Sequence, residues 1–478
     1  MRDYLPSAQE RLIATRAVLE EHLDGWGYQP VDLPILEHRE LYLKKAGEEL
    51  VGKLYDFVYQ GRGLALRPEW TASVLRAYLK GMQSEPLPLR LRYSGPVFRY
   101  ERPQRATYRQ FTQVGVELLG GTAPRADAEV IGLACKGLKA AGVDSWVLTL
   151  GHVGVARALL SGLSLPERTA SQLLWSMERL RRSGRDALRA QFFEQSDEEF
   201  NLGPLVDLPD DQLADLLAMT IRAMGLSLDS TSRPAEAIVG RLVGKLRRGN
   251  AEPSIDQALQ SLERLSEAHG PPEHALAVAR DLFEELALPA DLLQQLGEII
   301  DLVVAQGIEP PRLRVDLGLS RGLHYYSGMI FEIEAGDGLQ LCGGGRYDDL
   351  VAALQSGSRG RAEVPAAGFA YGLERVALVA AAPEPIRKAT VMVAAQGPVY
   401  AAAMQAAEVL RERGFRVLLD VRGRSAHAAL RDAERRGCRY LLSIDGPASA
   451  LTGEWHDLTN GSSPGRRPLA EVLSGAYV

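Results

Sequence analysis

Residues Leu91 to Gly120 read LRYSGPVFRYERPQRATYRQFTQVGVELLG. Extended patterns run from Leu89 to Tyr93, from Val97 to Tyr100 and from Gln110 to Leu118, and the last two bracket a turn at roughly Arg102 to Thr107. Alternating apolar and polar residues on both sides of a polar turn predict antiparallel strands, half-buried against a core. Arg99, Glu101, Arg102, Arg105 and Arg109 crowd about the turn. Guanidinium forks match phosphate oxygens two at a time, and in a sheltered site they stabilise charge developing during phosphoryl or nucleotidyl transfer. On charge content alone, a solvated arginine-rich hairpin explains the same residues.

Outward from this hairpin the pattern stays α+β. Ser7 to Asp24 has helical spacing and stops at Gly25 and Gly27, before the extended stretch YQPVDLPILE, where Pro34 places a strand at an edge or bend. Leu54 to Phe57 and Gly63 to Leu66 are further short strands, and Thr71 to Met82 and Ala126 to Ala141 are helices. Strands joined by hairpins, with helices packed on one side, describe a mostly antiparallel sheet and exclude a doubly wound one. From Leu163 to Gln306 the chain turns to Leu, Ala, Glu and Arg at helical spacing, which predicts an all-helical insertion. Strand and glycine signals return from Leu313 through RGLHYYSGMIFEIEA, LCGGGRYDDLV and PAAGFAYGLERVALV. After the linker AAPEPIRK, strands alternate with helices in a small α/β domain. The expected division is 1–162 and 307–383 for the first domain, 163–306 for the insertion and 388–478 for the last domain.

At 478 residues the chain exceeds the roughly 250 to 300 at which single cores stop growing. Net charge is −6, so any nucleic-acid contact is local rather than driven by a global basic field. Lys388 to Val478 holds 12 basic and 9 acidic residues, a net +3 that leaves −9 on the rest. Cys135, Cys342 and Cys438 have neither disulfide-framework nor metal-site spacing. With no export signal and no apolar run near the roughly 18 residues of a membrane helix, a cytoplasmic location without membrane contact is expected.

The hairpin resembles motif 2 of the class II histidyl-tRNA synthetases: FRYERPQ followed by YRQFTQVGVELLG carries the FRxE core with the family's RPQ and QF-Q-G-E extensions in register. That resemblance implies that Arg99 holds the α-phosphate of ATP, that Glu101 reads the adenine edge, and that Gln113 and Glu117 line the histidine pocket. It assigns Arg102, Gln104 and Arg109 to the tRNA acceptor end. Upstream, LRPEWTASVLRAY resembles the family's LRPE-x-T-A motif, whose acid and hydroxyl, here Glu69 and Thr71, receive the α-ammonium group. Read from the residues alone, the pair serves equally as a helix cap. RGLHYYSGMIFE resembles the segment RGLDYY, which gives Arg321 a catalytic role and seats the imidazole with Tyr325 and Tyr326. A packed strand explains Tyr326 equally well.

CGGGRYDDL is similar to AGGRYD, where backbone approaches the ligand closely, and AAGFAYGLERV is similar to motif 3, whose arginine, here Arg375, contacts the ATP phosphates. GWGYQPVDLPILE stands in the place of motif 1, with Pro34 as its proline, which implies a homodimer. The family's chemistry implies Mg2+ bound with ATP rather than a protein metal site, and ATP, histidine and histidine tRNA as substrates. The last domain resembles the family's anticodon-binding module.

Three departures stand out. The motif 2 loop has Thr107 where the family carries an arginine, with Arg105 near enough to substitute; His324 replaces the Asp of RGLDYY; Ala426 and His427 replace lysines of GRSLKKQ. Together with LGHVGVARALL they resemble the family's noncatalytic relative, the regulatory subunit of ATP phosphoribosyltransferase. In that alternative the chain senses histidine and controls the phosphoribosyltransferase catalytic subunit.

Overall fold

The computed structural model describes residues 2–43, 51–102, 105–161, 163, 165, 167–193, 208–223, 239, 243, 252–319, 325–355, 363–381, 389–395 and 399–474. Contacts divide the chain into two compact units, Met1–Pro383 and Glu384–Val478.

The described residues of the first unit form nine strands in one sheet and three in another. In chain order they are β1 (Gln29–Pro30), β2 (Leu36–His38), β3 (Asp56–Tyr59), β4 (Arg62–Leu66), β5 (Leu89–Phe98), β6 (Gln110–Leu119), β7 (Trp146–His152), β8 (His269–Gly270), β9 (Leu313–Asp316), β10 (Met329–Ala335), β11 (Gln340–Arg346) and β12 (Ala366–Gly372). The large sheet runs β1-β5-β6-β12-β11-β10-β7-β9-β8, and the small one β2-β4-β3. Among the described residues of this unit, only β1 with β5 and β7 with β9 pair in parallel. The sheet is therefore mostly antiparallel, as the hairpin patterning requires.

The two extended segments expected at Leu89–Tyr93 and Val97–Tyr100 are one strand, β5, paired with β6 over its whole length. Pro96 does not break it because the Pro96 and Thr112 backbones turn away from each other. The Pro96 carbonyl accepts from Arg67, and the Thr112 N–H donates to Glu374. A strand tolerates proline where its missing N–H faces outside the ladder. Pro34 lies in neither of the short strands beside it; the expected single extended stretch is split into β1 and β2.

The helices Pro6–Gly25 and Arg125–Ala140 pack on one face of the sheet, with Leu19, Leu23, Ile131, Leu133 and Leu138 buried among Val114, Val116 and Tyr371. The described part of the insertion is helical except for β8, whose Gly270 takes φ 124° before the helix Pro272–Glu285. Its last helices share this core: Ile299 and Val303 of Asp291–Ala305 are fully buried in it, and Gln306 Nε2 donates to the Ala128 carbonyl at 2.8 Å.

The second unit has a five-stranded sheet: β13 (Thr390–Ala395), β14 (Arg416–Leu419), β15 (Tyr440–Asp445), β16 (Thr452–Asp457) and β17 (Arg466–Pro468), in the order β14-β13-β15-β16-β17. The first three strands are parallel and joined through the helices Tyr400–Glu412 and Ala426–Arg435. The antiparallel β16 and β17 were not anticipated from sequence, because TGEWHD and RRP lack a sustained apolar alternation.

Candidate active site

A cavity of about 350 Å³ opens over the middle of the large sheet, lined by residues of β5, β6, β10, β11 and β12 and of the segments between them. Of the residues singled out from sequence, Glu69, Thr71, Arg99, Glu101, Gln113, Tyr325, Tyr326 and Arg375 line it; Glu117, expected in the histidine pocket, is 1% exposed and does not line the cavity itself, but is hydrogen-bonded to Thr71, which does. Arg321 and Gln104 lie outside the described residues, as does His324. Arg102 is exposed and does not line the cavity. Arg109 does not line it either; its guanidinium sits 4.3 Å over the Tyr100 ring and its Nε donates to the Glu101 carbonyl.

By mutual contact the lining divides into two groups. The first is cationic. Arg99 leaves the end of β5, where its Nε donates to the Pro68 carbonyl at 2.8 Å and its guanidinium lies 5.6 Å over Phe111. Arg375, on the helix Leu373–Val379, donates to the Ala106 carbonyl, to the carbonyl of Gln340 and to the Thr107 hydroxyl. Burial and the nearby Arg99 charge both hold Arg375 below the usual guanidinium range. Two guanidiniums that repel each other in a half-buried cavity make a site for an anion. Arg105, the expected substitute for the missing loop arginine, instead pairs with Asp337 at 3.1 Å and does not line the cavity.

The second group is acidic and aromatic. Glu117 Oε1 accepts from the Thr71 hydroxyl at 2.7 Å and from the Tyr93 hydroxyl at 3.2 Å. Its Oε2 has no protein partner, and neither has the Tyr347 hydroxyl or the Gln113 Oε1. Gly368 packs directly against these atoms: a Cβ there would fall 2.2 Å from Glu117 Oε2 and 2.6 Å from the Tyr347 hydroxyl. Gln113 and Tyr347 line the cavity, and orphaned buried polar atoms at such a lining are the expected signature of a polar ligand. Tyr325, Tyr326 and Tyr347 form one aromatic cluster, with centroids 5.0 to 6.4 Å apart.

Glu69 also performs the capping role: both its oxygens accept from the Ala72 N–H, at 3.1 and 3.2 Å, at the start of the helix Thr71–Gly81. Burial raises its carboxyl above the ordinary range, against the opposing pull of the Ala72 N–H and Arg99. Burial raises Glu117 further, helped by the Glu69 charge.

Residues 1–210 and 206–376 match histidyl-tRNA synthetase as a family, and residues 388–448 match the anticodon binding domain. The chain belongs to the histidyl-tRNA synthetase family. It is 32% identical over 457 residues, covering 95% of this chain and 92% of the other, to a histidine–tRNA ligase of Archaeoglobus fulgidus. It is also 34% identical over 441 residues, covering 91% and 94%, to an ATP phosphoribosyltransferase regulatory subunit of Moorella thermoacetica. Among solved structures, histidyl-tRNA synthetase from Nostoc shares the fold at a TM-score of 0.65 and 18% identity, over 99% of this chain and 97% of that one. A Bacillus halodurans protein described as an ATP phosphoribosyltransferase regulatory subunit/histidyl-tRNA synthetase aligns at 0.64 and 23%, over 94% and 97%.

Several lining residues of this family member were not singled out from its sequence. Tyr347 lies within CGGGRYDDL, where the pattern marks the glycines and not the tyrosine. Tyr93 follows from alternation, since Leu91, Tyr93, Gly95 and Val97 are the buried positions of β5. Lys53, 3.3 Å from Glu101, and Glu332, which accepts from Gln340 at 2.8 Å, carry no motif signal. Glu374 sits beside Arg375 in motif 3, and its two oxygens accept from the Thr112 N–H.

Proposed function

We propose that this chain activates histidine with ATP and transfers the histidyl group to histidine tRNA. The observation that carries the reading is one cavity holding two opposed guanidiniums, Arg99 and Arg375, together with an acid and aromatic group built from Glu69, Thr71, Gln113, Tyr325 and Tyr326. The cationic group suits the phosphates, and the second suits an amino acid with an α-ammonium and a polar ring.

In this reading the histidine carboxylate attacks the α-phosphorus of ATP, the bond to the bridging oxygen breaks, and pyrophosphate leaves with both electrons. A terminal ribose hydroxyl of the tRNA then attacks the acyl carbon, and AMP departs. Arg99 and Arg375 stabilise the charge that grows on the phosphate oxygens, and Arg321 joins them by the family resemblance. Glu69 and Thr71 hold the ammonium, so the carboxylate faces the nucleotide. No enzyme nucleophile is needed. Glu332 and Glu374 line the cavity and would hold a nucleotide-bound Mg2+, which takes one or two protein carboxylates; when bound, it would neutralise phosphate charge. Among the described residues no group of three or more His, Cys, Asp or Glu converges on a separate metal site.

A second reading, a histidine-responsive regulator of ATP phosphoribosyltransferase, draws on the Moorella relative and on Thr107, whose hydroxyl occupies Arg375. Charging of histidine tRNA with labelled histidine, run beside activation of a phosphoribosyltransferase catalytic subunit, separates the two. Charging without effect on the transferase supports the synthetase. Histidine-dependent control of the transferase without charging supports the regulator.

A further inference from the structure

Arg67 is only 2% exposed and belongs to neither group of the cavity lining. Its two side-chain hydrogen bonds end on backbone carbonyls of separate segments: Nε on Pro96 and Nη1 on Leu33, each at 2.8 Å. A buried guanidinium is costly to desolvate unless its donors are met, so this fork locks the Leu33 segment, its own strand end and β5 into one arrangement. Its backbone repeats the connection, with its N–H donating to Ile35 and its carbonyl accepting from Phe98.

The flat face of the same guanidinium lies 3.5 Å from the Trp70 ring centroid. The Trp70 indole is stacked on Tyr93, 4.9 Å between centroids and 9° between planes, and the Tyr93 hydroxyl donates to Glu117 Oε1. Gly95 makes room for this stack, since a Cβ there would fall 2.8 Å from both Arg67 Nη2 and Trp70 Cζ2. The layers Arg67, Trp70 and Tyr93 therefore end at the cavity, which Tyr93 lines, and on the Glu117 carboxyl, whose Oε1 also accepts from Thr71, a second lining residue.

We infer that Arg67 is a positioning residue for the amino-acid end of the cavity: it fixes the Trp70–Tyr93 stack and, through the Tyr93 hydroxyl, the orientation of Glu117. The inference rests on the reading of that end as the histidine pocket. It does not require turnover, so binding tests it separately from the synthetase reaction. A displaced Glu117 carboxyl releases the Thr71 and Tyr93 hydroxyls, which line the amino-acid end, while leaving the nucleotide end unchanged, because Arg99 and Arg375 are held by other partners.

The experiment is calorimetric binding of histidine and of ATP to the full chain and to Arg67→Lys, Tyr93→Phe and the double variant. Arg67→Lys keeps the charge and loses the planar fork. Histidine affinity is expected to fall on the order of 5- to 30-fold in each single variant, with ATP affinity within about twofold. In the double variant it falls no further than in the weaker-binding single, because coupled residues are non-additive. Additive losses, or equal losses for histidine and ATP, would show a general packing role and overturn the inference. If Arg67→Lys does not fold, Trp70→Phe tests the same route, and unchanged histidine affinity there overturns it. Wild-type protein that binds histidine but charges no tRNA defeats the synthetase reading and leaves this one standing.

Discussion

Burial raises the carboxyls of Glu69 and Glu117, and the Glu69 charge adds to the cost of ionising Glu117. An acid whose folded pKa lies above its unfolded value keeps its proton longer in the folded state, so stability falls as pH rises through that interval. Glu117→Gln removes this titration while keeping an acceptor for Thr71 and Tyr93. In urea unfolding the variant should be more stable than the parent at pH 7, with the difference shrinking as pH falls toward the ordinary value of 4.5. A stability difference independent of pH would mean that the Glu117 carboxyl titrates alike in the folded and unfolded chain. At this scale the sequence was informative where a motif named the residue. Alternation marks Tyr93 as buried without naming a role for it, and the parts of Arg67 and Tyr347 depend on contacts across segments rather than on spacing along the chain.

The elements hold the site through a few buried polar ties. Arg346 at the end of β11 meets Asp127 of the helix Arg125–Ala140 at 2.6 Å, with side chains 5% and 1% exposed, and also Asp348 at 2.8 Å. Breaking a buried pair by removing one partner leaves an uncompensated charge. Asp127→Ala should destabilise the first unit by about 3 to 5 kcal/mol, read as a lower urea midpoint for that unit. A loss below roughly 1 kcal/mol would place the pair in the range of exposed ion pairs. Hairpin alternation predicted β5 and β6 as a pair, and helical spacing predicted the helices at Pro6 and Arg125 to within a residue or two. The separation expected between Leu89–Tyr93 and Val97–Tyr100 does not occur, because the compatibility of Pro96 with one strand depends on which way Thr112 and Arg67 point. That information lies in the fold and not in the local pattern.

Across the whole molecule, the family resemblance was legible because its motifs occur in order along most of the chain. The helical insertion was legible only as composition. The expected homodimer draws support from Ile35, Leu36, Phe57, Val58 and Tyr59, large apolar side chains left 40% to 68% exposed around the small sheet and the motif 1 position. Exposed apolar side chains grouped in this way mark an interaction surface. Sedimentation equilibrium should give twice the chain mass, and Val58→Asp should shift it toward the monomer; a monomeric parent would refute the dimer. The central claim is that the cationic and acidic groups of one cavity bring ATP and histidine into reaction. Its most direct measurement is exchange of labelled pyrophosphate into ATP by the purified chain. The account predicts exchange that requires histidine and is lost in Arg99→Ala. Histidine binding without any exchange would contradict it.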